Sequence, residues 1–136
     1  MESLIYLAPV VGVIALIFAL FLSKKVSRED EGTDRMKEIA AAISDGAHAF
    51  LTAEYKILVI FIIVLFVLIA LGIGVKSGIA FVLGTLCSIL AGYFGMSVAT
   101  KANVRTANAA RTGGMNRALS IAFSGGAVMG MSVVGL

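Results

Sequence analysis

Four apolar runs, each long enough to cross a bilayer, dominate this sequence and leave few folds open to it. They cover residues 4–22, 57–75, 79–99 and 118–136. Crossing a hydrocarbon core takes roughly 20 apolar residues in a helix. Backbone in lipid must satisfy its own hydrogen bonds, which leaves helices or a closed barrel. The alternating pattern of a barrel strand is absent here. The predicted fold class is therefore all-α: a polytopic transmembrane helix bundle with four spans. Composition supports this. Of 136 residues, 60% are hydrophobic and 14% charged, and the mean hydropathy is +1.03. A soluble domain is nearer a quarter charged, and so few charges cannot cover the surface of a chain this size.

The charges set an orientation. Ten of the 11 basic residues fall in two connections: Lys24, Lys25, Arg28, Arg35, Lys37 and Lys56 in the first, and Lys101, Arg105, Arg111 and Arg117 in the third. The second connection holds Lys76. Basic residues concentrate in cytoplasmic loops, so the N-terminus is expected outside and residue 24 onward in the cytoplasm. The first run is no convincing secretory signal, because its short N-terminal flank carries Glu2 and no basic residue. The net charge of +3 does not point to nucleic acid, since the cations lie between apolar runs and no reading helix or zinc-finger spacing accompanies them. Cys87, the single cysteine, sits inside an apolar run and reads as a small packing residue.

Local signals refine the connections. Thr33 is placed to cap a helix, with Asp34 favourable in its first turn. Met36, Ile39, Ala40, Ile43, Ala47, Phe50 and Leu51 then recur at helical spacing. Residues 34–56 are thus expected to form a cytoplasmic amphipathic helix that runs into the second span, with Gly46 its weak point. Its mixed-charge polar face suits packing against other helix ends better than lying flat on anionic lipid. The acidic run Glu29-Asp30-Glu31, with Asp34, reads as a solvated loop. Residues 72–78 form a short glycine-rich turn that makes spans two and three an antiparallel hairpin. Gly113-Gly114 is expected to end a cytoplasmic extension of helix three. The basic, acid-free stretch 101–117 could approach phosphate groups, although positive-inside bias alone accounts for it.

Small residues mark the packing faces. Ala80, Gly84, Ser88 and Gly92 recur at four-residue intervals in span three, with Ala91, Gly95 and Ala99 on an adjoining row. Span four carries Ser124, Gly125, Gly126 and Gly130. Such spacing lets helix backbones approach closely in lipid. Spans one and two are bulkier and read as outer helices.

The chemistry of a pump is missing from the spans. No Asp, Glu, Lys or His lies near the centre of any of them, and Glu54, Lys56 and Arg117 sit at edges. Intramembrane ionisable groups are what ion carriers use. There is no phosphate-binding glycine loop. His48, the only histidine, has no companion His or Cys with which to hold a metal. No catalytic, cofactor-binding or metal-binding residue is therefore assigned. The apolar C-terminal residues suggest a cut within a span or just at its end.

Several stretches resemble the N-terminal region of membrane-bound, ion-translocating pyrophosphatases. They are EGTDRMKEIAAAISDGAHAFLTAEYK at 31–56, GTLCSILAGYFGM at 84–96, ATKANVRTANAAR at 99–111 and ALSIAFSGGAVMGMSVVGL at 118–136. The resemblance implies a homodimer of about sixteen helices per subunit that splits pyrophosphate at the cytoplasmic face and exports H⁺ or Na⁺. It implies Mg²⁺ as cofactor, K⁺ as activator in one subclass, and a prokaryotic cell membrane as location. The partners it implies are the lipid bilayer and the remaining helices of a longer chain. The family's catalytic carboxylates belong to later helices, in stretches such as D-V-G-A-D-L-V-G-K-V-E, and no such stretch occurs here. The chain is then an N-terminal scaffold portion, inactive alone. The rival readings are a complete four-span accessory or assembly protein and an oligomeric channel lined by the fourth span.

Overall fold

The computed structural model describes residues 2–136, with side chains from Leu7 onward. The fold is all-helical: α1 is Glu2–Arg28, α2 is Asp34–Gly72 and α3 is Val75–Gly135. All three are long and apolar enough to cross a membrane. The four expected runs thus fall in three elements, with the third and fourth both inside α3, on either side of a non-helical Gly114.

Each boundary has a local cause. α1 outruns the expected end at 22 because Val26, 1% exposed, packs into the core, while Lys25 and Arg28 complement the helix C-terminus. The Thr33 hydroxyl accepts the Met36 N–H at 3.4 Å and starts α2. α2 then runs through Gly46 without a break, so the amphipathic segment and the second span are one rod of about 58 Å, at ~1.5 Å per residue. The turn after it is tighter than expected, with only Ile73 and Gly74 between helices.

Within α3, Gly114 has φ 79° and ψ 178°, outside helical geometry. Only glycine takes such a φ without steric cost. The chain reverses there. A Cβ placed on Gly95 would lie 2.6 Å from Met129 Cγ, and one on Gly125 would lie 2.7 Å from Ala102 Cβ. Residues 95 and 129 would be ~51 Å apart along a straight helix, so the two arms, 75–113 and 115–135, pack antiparallel.

This hairpin is the centre of the molecule. α1 and α2 each pack against α3, and among the described residues no packing contact joins α1 to α2. Ala19, Leu22 and Val26 of α1 meet Val98 and Ala102 of the first arm and Val128 of the second. Ala109, Ala118 and Ile121 close the bend. At the far end of α1, a Cβ on Gly12 would lie 3.1 Å from the Gly135 carbonyl oxygen. Small residues thus let three rods approach closely, as the small-xxx-small rule requires. α2 is peripheral, and none of its most apolar stretch is buried.

The packed row differs from the first stripe read in the sequence. Ala91, Gly95, Val98 and Ala102 face the core, whereas a Cβ on Gly84 meets nothing and one on Gly92 meets only the Tyr55 hydroxyl at 3.7 Å. In the second arm Gly125 is buried, while Gly126 and Gly130 have open space. Adjacent glycines therefore give a clean test. Gly125→Ala is expected to destabilise the fold by about 1–3 kcal/mol through overpacking. Gly126→Ala should be neutral or stabilising by up to ~1 kcal/mol through helix propensity. Thermal unfolding of both variants in mild detergent measures the difference, and equal melting temperatures would remove the close-packing account.

Candidate functional site

The polar groups of this apolar molecule gather at one place, where the end of α1 meets α3 near its bend. A helix C-terminus leaves carbonyls without intrahelical partners, and α1 ends beside Arg105. This arginine comes from the first arm of α3 and its side chain is 8% exposed. Its Nε donates to the Glu29 carbonyl at 3.0 Å and Nη1 to the Lys101 carbonyl at 2.9 Å. Nη2 donates to the Ser27 carbonyl at 3.4 Å and to Glu31 Oε1 at 2.7 Å. One planar guanidinium thus caps α1, joins the neighbouring loop and ties both to α3. Lysine, with a single flexible ammonium, cannot reproduce that fork.

Asn108 continues the seam one turn later. Its Nδ2 donates to the Asp30 carbonyl at 3.2 Å, and its Oδ1 accepts from Arg111 Nη2 at 3.1 Å. Beyond the bend, Arg117 Nη2 reaches Glu29 Oε2 at 2.8 Å. Gly32 makes the approach possible: its φ is +87°, and a Cβ there would fall 2.7 Å from Asn108 Oδ1. Asp30 Oδ1 accepts the Gly32 N–H at 3.0 Å. That backbone hydrogen bond is the main reason the Asp30 carboxyl sits below its ordinary value of 3.8. A depressed pKa stabilises the fold above the unfolded value, so this contribution is complete above 3.8 and is lost as pH falls through the folded value.

The acidic run read as a solvated loop is therefore a docked strap. Glu29 and Glu31 each hold an arginine, and the Asp30 backbone is held by Asn108. The basic stretch 101–117 is helical except at Gly114, and two of its four cations are paired with those acids. The clue in the sequence was the complementarity itself, an acid-free basic segment in one connection and an acid-rich one in another. Pairing across 74 residues is invisible to local periodicity. His48 lies on α2, its ring 6.1 Å from that of Tyr93. Cys87 is half-buried on α3.

The arrangement can hold helices in register, but it does not suit a divalent metal. Glu29 and Glu31 are both committed to arginines, and among the described residues no three His, Cys, Asp or Glu side chains could share an ion. A cleft of about 220 Å³ opens beside Arg105 between α2 and α3, lined by Glu31, Lys37, Ser44, Thr100 and Lys101 among others. Its balance of cations is the reverse of what Mg²⁺ requires.

The sequence matches the family described as "Inorganic H+ pyrophosphatase" over residues 13–136. This chain belongs to that family. It is 59% identical over 131 residues to a Clostridium tetani protein whose name gives it, provisionally, as a K(+)-stimulated pyrophosphate-energized sodium pump; the match covers 96% of this chain and 19% of the relative. It is 48% identical over 138 residues to a K(+)-insensitive pyrophosphate-energized proton pump of Methanosarcina mazei, covering 100% and 20%. It is 45% identical over 134 residues to a K(+)-stimulated pyrophosphate-energized sodium pump of Thermotoga maritima, covering 98% and 18%. The chain spans about a fifth of the length of these relatives, and it aligns with both K⁺ classes.

The strap residues in this family member differ sharply in expected weight. Arg105→Met strands the Ser27 and Glu29 carbonyls and leaves Glu31, 41% exposed, without its partner, and should cost about 1–3 kcal/mol. Arg117→Gln removes a pair in which the arginine is 56% exposed, worth about 0–1 kcal/mol. Unfolding midpoints in detergent should rank the two accordingly, and the opposite ranking would displace Arg105 from the centre of the seam.

Proposed function

We propose that this chain is the N-terminal scaffold of a membrane pyrophosphatase that couples cytoplasmic pyrophosphate hydrolysis to export of H⁺ or Na⁺. The observation that carries the proposal is the family match over residues 13–136 in a chain covering a fifth of its pump relatives. In this reading residues 1–136 form part of one membrane domain of about sixteen helices, within a homodimer in a prokaryotic cell membrane. The two arms of α3 each cross the bilayer, which gives four crossings near residues 4–22, 57–75, 79–99 and 118–136. Residues 34–56 project into the cytoplasm, and the N-terminus lies outside. Pyrophosphate, Mg²⁺ and, in K⁺-stimulated members, K⁺ bind to residues outside this chain.

The placement of the strap supports this topology. The end of α1, the start of α2 and the bend at Gly114 lie together at one end of the bundle, and ten of the 11 basic residues lie in the two connections that meet there. The turn at Ile73 and Gly74, with Lys76 close by, lies at the other end.

Two experiments bear on this reading. In a Cys87→Ser background, single cysteines at the exposed positions 76 and 25 of the full-length protein are labelled in intact cells with an impermeant maleimide. Position 76 should react and position 25 should not; the reverse pattern would invert the topology. Purified residues 1–136 should release no phosphate from pyrophosphate above a mock preparation, with Mg²⁺ and with or without K⁺, while a full-length relative does. Metal-dependent turnover by the fragment that is lost on mutation of Arg105 would place the active site here after all.

A further inference from the structure

Glu54 is a charge that neither the strap nor the core accounts for. Among the described residues it makes no ion pair. It lines a groove of about 470 Å³ between α2 and both arms of α3, with Phe50, Leu58, Ser88, Gly92 and Met129 among the walls. It is the one charged residue in that lining.

Its depth follows from the pairing of the rods. The Tyr55 hydroxyl donates to the Ile89 carbonyl at 3.1 Å, so Glu54 stands level with about residue 90 of α3. The apolar run of α3 continues to Ala99 before Lys101. Glu54 therefore lies some 14–16 Å to the membrane side of Lys101, at ~1.5 Å per residue. Lys101 is level with the end of α1, since Ala102 and Val26 share one core cluster. Glu54 thus stands at the inner edge of the second span, and once a helix covers the groove an unpaired carboxylate there is costly.

Resting on the membrane-pyrophosphatase reading, we propose that this groove is the seat of a membrane helix from the downstream part of the full-length chain, and that this helix presents an Arg or Lys to Glu54. Charge complementarity selects the partner. The groove is apolar apart from one anion, so a helix with one cation among apolar residues fits it. The length of the relatives supplies candidates, because about four-fifths of each lies outside the matched region. The walls also suit a rod. Ser88 and Gly92 flank the groove, and a Cβ on Gly92 would meet nothing nearer than 3.7 Å. The outward small-residue row that internal packing left unused thus becomes the surface for a close backbone approach.

The sign of one stability change tests the proposal in the full-length protein. If Glu54 were covered by that helix without a counter-charge, Glu54→Gln would remove a desolvated charge and raise the melting temperature. Paired with a buried cation, the same change strands that cation and lowers it. A fall of several degrees is expected, with Glu54→Lys falling further or failing to assemble. An unchanged or raised value for Glu54→Gln overturns the pairing. A spin label on Ser88→Cys, in the Cys87→Ser background, tests occupancy of the groove directly. It should be shielded from both oxygen and a water-soluble nickel relaxant. Strong oxygen accessibility would mean lipid in the groove, and strong nickel accessibility a water-filled cavity; either overturns the proposal. A label at Val64, on the unburied apolar stretch of α2, serves as control. If that position is not oxygen-accessible, the membrane reading fails instead of the groove.

Discussion

The bundle depends on burying one guanidinium. Removing an arginine from water is expensive unless its donors are used, and Arg105 uses Nε, Nη1 and Nη2 on three carbonyls and one carboxylate. The carbonyls are partly those that α1 leaves open at its end. Two unfavourable conditions, an uncapped helix and a buried cation, thus cancel at one atom cluster. With α1 fixed in register, the small side chains along the interface can meet without gaps, because close contacts such as Gly12 on Gly135 tolerate little sliding. The polar seam sets position, and the apolar interface supplies the contact area.

α3 then acts as the common wall. Its two arms supply partners for α1, and its first arm meets Tyr55 and Phe66 of α2. The reversal at Gly114 is what makes one element serve both sides. A side chain there would oppose the positive φ, and a straight continuation would carry Val128 and Gly135 away from α1. α2 keeps most of its apolar surface outward, a state that lipid or further helices tolerate and water does not.

Much of this was legible in the sequence because period and length are local properties. Thr33, the helical spacing from Met36 to Leu51 and the glycine pair at 113–114 each announced a boundary that the structure has. The misreadings were non-local. The basic residues of 101–117 read as positive-inside bias, yet Arg105 and Arg117 are paired with Glu31 and Glu29. Glu29, Asp30 and Glu31 looked solvated because their partners stand 74 or more residues away. The row Gly84-Ser88-Gly92 looked like the internal seam, but helical spacing alone cannot say which of two small-residue faces turns inward.

The span of the strap constrains how such a protein is made. Glu29 leaves the ribosome long before Arg117, its partner 88 residues later, and Arg105 follows it by 76 residues. Until those arginines have been synthesised, the end of α1 has no cap and its neighbouring acids have no counter-charge. α1 and α2 must therefore wait in the membrane or at the translocon as an unfastened pair, touching neither each other nor a finished wall. The last arm to be made is the one that locks the first helix in place. Biogenesis of this region is thus a closing step timed by the emergence of α3, and translation paused before residue 117 would leave a set of inserted helices with no fixed register.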